Sequence, residues 1–418
     1  MPSKKIVIVK NRLAMPAKRL CLQPAAQPQT YAPGQSLPGG FVIDEVVAEG
    51  GSGIVLKAHK QAIHPPIYKA IKVVNTRCLD KDFHRADDVK KEFYGEAKVS
   101  FEIGSDPYAI SVEDILDMPD GSKALVCPFI KGHTLGALIR DHRRRGWLLP
   151  FELTAFVFHR ILSVLSHAQE CGIAHRDLCT NNIMIQRTGV PLVLDWGAAG
   201  ELDESVFVGK PGYMAPEIIR QSDAVSGAGL FKADIFSLGA VIREMLIGRN
   251  ALEYMDPMLD GYEAYAALAY RETLDSETLP SVAGVCQDVP TLLSNIVYTC
   301  MKEDPDERPQ AEDLYEYLGA EYLYTSQIGF GPTAETLRDY LEFFYSSYDP
   351  LSPLPDNRFG RSLEKLICAK FRRKAELPEN RGTLLRDIVA RANRSFTLGH
   401  VARTLEEAFG PGSPAADA

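Results

Sequence analysis

The residues best able to do chemistry lie in one short polar stretch, residues 175–182 (HRDLCTNN), just before the apolar segment Ile183-Met184-Ile185. Asp177 and Asn182 are held five residues apart on what should be one rigid loop, where they could orient a hydroxyl group and hold a magnesium ion. A second acidic turn, Asp195-Trp196-Gly197, begins thirteen residues after Asn182. Together these groups predict an active site for phosphoryl transfer.

The two motifs resemble the catalytic loop and the metal-binding turn of the protein kinase family, with Trp196 where phenylalanine is usual. An isolated H-R-D triplet is more often an ordinary polar turn, but here further signatures follow in the family's order. The resemblance implies that Asp177 is catalytic and orients the acceptor hydroxyl, and that Asn182 and Asp195 bind the metal. The implied cofactors are ATP and Mg²⁺, with Mn²⁺ as an alternative.

A glycine-rich turn lies between two apolar stretches that predict strands, residues 41–47 and 54–58. Glycines let backbone N–H groups approach phosphate oxygens without a side chain in the way. The turn resembles the family's GxGxxGxV loop, although alanine stands at the first glycine; alone it is weak evidence, because most such turns are simple hairpins. The implied nucleotide contacts are Ala48, Gly50, Gly53 and Val55.

The next predicted strand, residues 70–74 (AIKVV), carries one lysine among apolar residues. A lysine there is costly unless it meets an anion. The segment fits the family's V-A-I-K strand, which implies that Lys72 contacts the α- and β-phosphates of ATP and pairs with a helix glutamate. We choose Glu96, because it lies eleven residues before Pro107, close to the family's interval. The other candidates are Glu92 and Glu102, and each of the three could instead be a solvent-facing helix charge.

Residues 124–132 (ALVCPFIKG) resemble the strand and hinge that join the two lobes of a kinase. By this match Cys127 is the gatekeeper beside the adenine pocket, and Pro128 to Ile130 offer backbone groups to adenine. Apart from the resemblance, Cys127 is simply a small apolar residue of the kind usually buried. The implied adenine contacts are Ala70, Cys127, Phe129 and Ile130.

Three later motifs extend the resemblance. Residues 209–217 (GKPGYMAPE) resemble the GTPGYMAPE of Ser/Thr kinases, and residues 234–239 (DIFSLG) match DxxSxG and are expected to open an apolar helix. Arg308 is implied to pair with Glu217 in a structural role. The resemblance covers residues 41–322 and implies an α+β, bilobal protein-kinase-like fold. Its small β-rich N-lobe would span residues 41–131 and its large helical C-lobe residues 132–322.

The catalytic loop departs from the family at two positions. Kinases of this family usually carry a lysine two residues after the catalytic aspartate or, in tyrosine kinases, an arginine four residues after it. Here these two positions hold Cys179 and Asn181, respectively. The transferring phosphoryl group needs positive charge, so another residue must supply it. We hypothesise that Lys210 does so as a catalytic residue; a second interpretation has Lys210 clamp Asp177 in an inactive pose.

The flanking segments have compositions of their own. Residues 1–40 are predicted to form a flexible, basic, Pro-rich arm. A helical C-terminal extension is predicted over residues 333–410, followed by a loose tail at 411–418. Between Arg358 and Arg403, twelve Lys and Arg stand against four Asp and Glu. This basic surface either packs near the acidic kinase lobe or binds an acidic partner. The first helical stripe comprises Leu337, Tyr340, Leu341, Phe344, Tyr345 and Tyr348.

Composition excludes several classes of protein. A net charge of −9 over 418 residues argues against a nucleic-acid binder. The eight cysteines show no CxxC spacing, which disfavours zinc ribbons and disulfide frameworks and favours a reducing, cytoplasmic setting. No apolar run approaches the roughly 20 residues of a membrane helix, and the start is too short for a signal-peptide core. We therefore expect no membrane span.

Three functions remain open at this point. The first is an ATP-dependent protein kinase that phosphorylates serine or threonine of protein substrates. The second is a small-molecule kinase of related fold, which could also lack the lysine, although the A-P-E and DxxSxG motifs indicate a peptide-accepting lobe. The third is an ATP-binding pseudokinase or scaffold, against which the retention of Lys72, Asp177, Asn182 and Asp195 argues.

Overall fold

The computed structural model describes residues 30–49, 53–73, 86–144, 148–196, 209–210, 212–219, 227–250, 281–286, 289–325 and 334–346. A β-rich lobe is followed by a helical lobe, which confirms the predicted α+β bilobal fold. Within these ranges no helix is both long enough and apolar enough to cross a membrane.

The N-lobe is an antiparallel six-stranded sheet with the spatial order β1-β2-β3-β4-β6-β5. Its strands are β1 (Ser36–Leu37), β2 (Phe41–Glu49), β3 (Ile54–Lys60), β4 (Tyr68–Val73), β5 (Asp114–Asp117) and β6 (Lys123–Pro128). Side chains alternate between its faces, as the two-residue period of a strand requires. Ile54 and Leu56, for example, are buried in the core of one face, so Val55 lies on the other.

The sheet begins earlier than the sequence predicts. Residues 36–40 were expected in the flexible arm, but β1 pairs with β2, and a 3₁₀ turn over Pro38–Gly40 joins them. The physical reason is apolar burial, because Leu37 packs with Phe41 in the core of the sheet. The ordered N-lobe therefore includes part of the segment assigned to the arm.

The second face of the sheet packs against α1 (Ala86–Ile103). Ala97 of this helix shares a small apolar cluster with Leu125 of β6. Leu125 is paired with Lys72 of β4, and paired residues of neighbouring strands point to the same face. Lys72 is thus turned toward the helix that carries Glu96.

The C-lobe is built around a helix that is buried on every side. Its helices are α2 (Leu135–Arg144), α3 (Phe151–Glu170), α4 (Pro216–Ile219), α5 (Ala228–Ile247), α6 (Val282–Val285), α7 (Thr291–Cys300), α8 (Ala311–Thr325) and α9 (Ala334–Ser346). Every residue of α5 from Ala233 to Ile247 is buried, which is typical of a central core helix. The DxxSxG motif was expected to open this helix, but α5 begins six residues earlier, because Leu230 already packs in the core.

A small sheet carries the polar loops. Its strands β7 (Gly132–Thr134), β8 (Ile183–Gln186) and β9 (Pro191–Val193) pair antiparallel in that order. Residues 175–182 lead directly into β8, and Asp195 comes two residues after the end of β9. Because β8 and β9 are neighbours, the two acidic motifs meet at one end of this sheet.

Helix α9 belongs to the core of the C-lobe, although the sequence assigns it to the extension. Its apolar stripe is buried in the same cluster as residues of α2, α3 and α5. Tyr348 and the helices predicted farther along lie outside the described residues, as do residues 1–29 and the tail at 411–418.

Candidate active site

The centre of the site is a lysine held between two carboxylates. Lys72 Nζ lies 2.7 and 2.8 Å from the two carboxylate oxygens of Glu96 and 2.7 Å from Asp195 Oδ1. Burial opposes the charged form of Lys72, but the attraction of Glu96 and Asp195 outweighs it and raises the Lys72 pKa. The lysine is therefore charged and fixed in position. Of the alternative glutamates, Glu102 is exposed, and the side chain of Glu92 lies outside the described residues.

Asp177 is held by its neighbour at the other end of the loop. Asn182 Nδ2 donates hydrogen bonds to the Asp177 backbone oxygen at 2.8 Å and to its Oδ2 at 3.0 Å. Burial and the negative charge of Asp195 raise the pKa of Asp177, while the bond from Asn182 and the charge of Lys210 partly oppose this rise. The amide group of Asn182 thus fixes the orientation of the carboxylate.

A buried aspartate of α5, Asp234, accepts hydrogen bonds from the backbone at the start of the catalytic loop. The backbone N–H groups of His175 and Arg176 donate to the Asp234 carboxylate at 2.6 and 2.8 Å. Arg176 adopts a left-handed backbone with φ of 64°, which costs a residue with a side chain about 1–2 kcal/mol. Burial raises the pKa of Asp234 to about 6, against the opposing effect of the two amides. Asp234 therefore stabilises the strained turn that presents Asp177.

The turn at Asp195 is fixed to the same loop. The Leu194 N–H donates to the backbone carbonyl oxygen of Asn182 at 2.8 Å, and His175 Nε2 lies 3.1 Å from the backbone carbonyl oxygen of Leu194. Since a carbonyl oxygen only accepts, the imidazole must donate here. Asp195 also has a positive φ of 59°. Trp196 is fully buried with its ring centroid 4.6 Å from that of His175, and its indole Nε1 has no hydrogen-bond partner in the described part of the chain.

The predicted nucleotide contacts share one face of the N-lobe sheet. Val55 pairs with Lys72 and Ala48 pairs with Val55, while Ala70 pairs with Cys127 across β4 and β6. Burial raises the pKa of Cys127 to about 12, so its thiol stays protonated. Phe129 and Ile130 follow in the half-buried connection to β7.

Of the glycines in the predicted glycine-rich turn, the described residues include only Gly53. A Cβ at Gly53 would lie 2.8 Å from the Val73 oxygen and 3.4 Å from Lys72 Cγ, so only glycine fits at this position. Gly50 and Gly197 lie outside the described residues.

Lys57, which sequence reasoning missed, places its Nζ 4.5 Å from the Tyr68 ring and 5.1 Å from the Phe129 ring. Lys57 lies opposite Ala70 in the strand register, which only the structure reveals.

Lys210 lies beside Asp177 in the structure. Its positive charge and a backbone hydrogen bond both act to lower the pKa of Asp177. Cys179, at the position of the family's lysine, is fully buried, and burial raises its pKa to about 11. The thiol therefore provides no charge to the site, whereas Lys210 is exposed next to it.

The segment after Lys210 is anchored to both the loop and the core. The hydroxyl groups of Thr180 and Tyr213 are 3.0 Å apart, and Tyr213 also donates to Glu244 of α5. Farther on, Arg308 makes a bidentate pair with Glu217 at 2.6 and 2.8 Å and donates to three backbone oxygens. Sequence reasoning missed the Thr180–Tyr213 contact, because no local pattern indicates it.

Comparison with known proteins agrees with this geometry. The family model described as protein kinase domain matches residues 41–318. The chain is 25% identical over 283 residues to a probable serine/threonine-protein kinase of Clostridium perfringens, covering 66% of this chain and 37% of the relative. It is 27% identical over 283 residues to a probable serine/threonine-protein kinase of Bifidobacterium longum, covering 66% of this chain and 34% of the relative.

A yeast relative extends the comparison. The chain is 27% identical over 281 residues to Sporulation-specific protein 1 of Saccharomyces cerevisiae, covering 66% of this chain and 51% of the relative. In these three relatives the matched part is between about a third and about half of their length. The family model spans well over half of the chain, and its motifs meet in one site. The chain belongs to the protein kinase family.

Proposed function

We propose that the protein is an ATP-dependent protein kinase that transfers the γ-phosphoryl group of Mg-ATP to Ser or Thr hydroxyls of protein substrates. The observation that carries this proposal is the convergence of Lys72, Glu96 and Asp195 in one ion-paired cluster. Asp177 and Asn182 lie on the loop that is hydrogen-bonded to the Asp195 turn. These are the groups that phosphoryl transfer requires.

The composition of the site fits a divalent cation. Glu96, Asp195 and Asp177 supply three carboxylates against the two ammonium groups of Lys72 and Lys210, and the charge of Asp195 raises the pKa of Asp177. Asp195 and Asn182 would hold the ion, because carboxylate and amide oxygens are ligands that Mg²⁺ prefers, with Mn²⁺ as an alternative. When bound, Mg-ATP supplies the phosphoryl group, and the metal neutralises the charge that develops on it.

Each residue of the site then has a role. Lys72, positioned by Glu96, would hold the α- and β-phosphates, and Gly53 would allow the backbone to approach them. Asp177, oriented by Asn182, would accept the hydrogen bond of the substrate hydroxyl. The sheet face with Val55, Ala70 and Cys127 would contact adenine. Phe129 and Ile130 would contact it from the hinge.

Lys210 is proposed to supply the positive charge that the catalytic loop lacks. It is an exposed cation close enough to Asp177 to affect its pKa, and Cys179 cannot take this role. Lys210→Met should lower turnover at saturating ATP about 100-fold, while Lys210→Arg should keep most of it. Unchanged turnover in Lys210→Met would refute the relocation of charge, and increased turnover would favour the inactive clamp.

A protein is favoured as the substrate over a small molecule. Tyr213 ties the segment after Lys210 to Thr180 and to the central helix, and the Glu217–Arg308 pair supports the same region. A segment fixed in this way after Lys210 could support an extended peptide beside Asp177. The relatives described as serine/threonine-protein kinases point the same way. An acidic partner for the basic extension and a cytoplasmic location remain predictions.

The test is phosphate transfer itself. The purified chain is incubated with Mg-ATP and a generic acceptor protein, beside Asp177→Asn, and phosphorylation is mapped by intact mass and peptide mass spectrometry. We expect phosphate on serine or threonine only with intact Asp177. Equal transfer by Asp177→Asn would refute the assigned role. ATP binding without transfer to any protein would favour a scaffold or a small-molecule kinase.

A further inference from the structure

Helix α9 lies beyond residues 41–318, the part of the chain that matches the kinase family. It nevertheless buries four apolar side chains almost completely in the C-lobe core: Leu337, Tyr340, Leu341 and Phe344. Burial of this extent shows that the helix is an integral layer of the lobe. The question is what this added layer holds in place.

Two residues of α9, Tyr340 and Phe344, contact a buried histidine of α2. His142 is 1% exposed, and its ring stacks on Phe344 with centroids 3.8 Å apart and planes inclined by 7°. His142 Nδ1 lies 2.7 Å from the Leu138 oxygen, and Nε2 lies 2.5 Å from the Tyr340 hydroxyl. Because the carbonyl oxygen only accepts, Nδ1 carries the proton, and in the neutral ring Nε2 accepts from Tyr340. The imidazole therefore joins the two helices in one orientation.

Three further contacts fix the two ends of α9. Near its C-terminus, the Tyr345 ring stacks on His133 of β7 with centroids 4.5 Å apart, and the Tyr345 hydroxyl donates to Asp141 of α2 at 3.3 Å. At its N-terminus, α9 lies so close to the β8–β9 turn that a Cβ at Gly189 would be 1.8 Å from the Ala334 oxygen. The helix is thus seated on the small sheet as well as on α2.

The opposite end of α2 touches the catalytic loop. The Gly136 N–H donates to the Thr180 oxygen at 2.9 Å. A Cβ at Gly136 would lie 2.5 Å from Asn181 Oδ1 and 2.9 Å from Thr180 Oγ1. The backbone of α2 therefore lies directly against the part of the loop between Asp177 and Asn182. A displacement of α2 cannot leave this part of the loop unchanged.

We propose that α9 acts through α2 to position the catalytic loop, with His142 and Tyr340 as positioning residues. This inference rests on the proposed kinase activity. Loosening α9 should affect the orientation of Asp177 more than the binding of nucleotide. The reason is that Lys72 and Glu96 lie in the N-lobe, in β4 and α1, and are paired with each other and with Asp195, whereas Thr180 of the catalytic loop contacts α2 directly.

The test compares two pairs of matched variants in the full chain. Tyr340→Phe removes only the hydroxyl that meets His142, and its control is Tyr315→Phe, which removes the hydroxyl of a tyrosine whose ring stacks on another histidine, His159, at 4.1 Å. Phe344→Ala removes packing against α2, and its control is Leu318→Ala, which is equally buried in α8. Measurements are kcat, KM for ATP, the melting temperature, and hydrogen exchange of the amides of residues 175–182.

At assay temperatures well below the melting temperature, we expect kcat to fall about threefold in Tyr340→Phe and about tenfold in Phe344→Ala. The KM for ATP should change less than about twofold in either variant. Hydrogen exchange at residues 175–182 should rise in both and stay unchanged in the controls. Unchanged kcat and exchange, with only a lower melting temperature, would show that α9 merely stabilises the lobe. If the wild type transfers no phosphate, the exchange measurement still decides this proposal, while the proposed function itself fails.

Discussion

Replacing Gly189 by alanine should destabilise the protein far more than the same change at another left-handed glycine. Gly189 has φ of 82°, and an added Cβ would be 1.8 Å from the Ala334 oxygen and 2.7 Å from the Arg338 nitrogen. Gly172 has φ of 73° just after the end of α3, but nothing lies within 4 Å of its Cβ position. The left-handed conformation costs alanine about 1–2 kcal/mol at either site. At Gly189 the backbone overlap should add about 1–3 kcal/mol, as overpacking does in cores.

The assay is urea unfolding of Gly189→Ala and Gly172→Ala, followed by circular dichroism. We expect the free energy of unfolding to fall by about 2–5 kcal/mol in Gly189→Ala and by about 1–2 kcal/mol in Gly172→Ala. The difference between the two variants isolates the contact with α9, because backbone strain is common to both. Equal losses, within about 0.5 kcal/mol, would refute the seating of α9 on the β8–β9 turn.

Other predictions concern buried polar groups. Arg308→Met should cost about 3–5 kcal/mol of stability in urea unfolding, because it strands the buried Glu217 carboxylate; a loss below about 1 kcal/mol would contradict the buried pair. Burial raises the pKa of Asp234 to about 6. The folded state thus holds that proton more tightly than the unfolded chain, and the contribution of Asp234 to stability falls as pH rises from about 4 to about 6. Asp234→Asn should abolish this fall, measured as the difference in unfolding free energy between pH 4.5 and pH 7, and an unchanged difference would contradict it. Trp196→Phe should lower the free energy of unfolding by less than about 1 kcal/mol, because removing an indole N–H that has no partner among the described residues offsets the lost volume; a clearly larger loss would contradict this offset.

Short-range spacing and the resemblance to the kinase motifs together indicated which residues of the site lie close to one another. Asp177 and Asn182 lie on one loop, so their separation along the chain fixes their separation in space. The interval before Pro107 singled out Glu96, the glutamate that the structure places 2.7 Å from Lys72. Apolar stretches at residues 41–47, 54–58 and 70–74 predicted β2, β3 and β4, and helical spacing predicted α9.

Contacts between distant segments could not be predicted in this way. His142 and Tyr340 are 198 residues apart, and nothing near either residue indicates its partner. The start of α5 was misplaced because the DxxSxG motif at Asp234 marks where the helix meets the loop, while burial of Leu230 decides where it begins. Residues 36–40 join the sheet through Leu37, a single apolar residue in a stretch rich in proline and glycine.

The hydrogen bonds between the two acidic segments have a consequence for how the protein could be switched on or off. Asn182 and His175 are hydrogen-bonded to the backbone of Leu194, so Asp177, Asn182 and Asp195 should move together as one rigid part of the C-lobe. Lys72 and Glu96 come from the N-lobe, and the bond from Lys72 to Asp195 links the lobes at 2.7 Å. Opening of the two lobes would then break the Lys72–Asp195 bond, and a pair of fluorescent labels, one on each lobe, could follow this motion in real time.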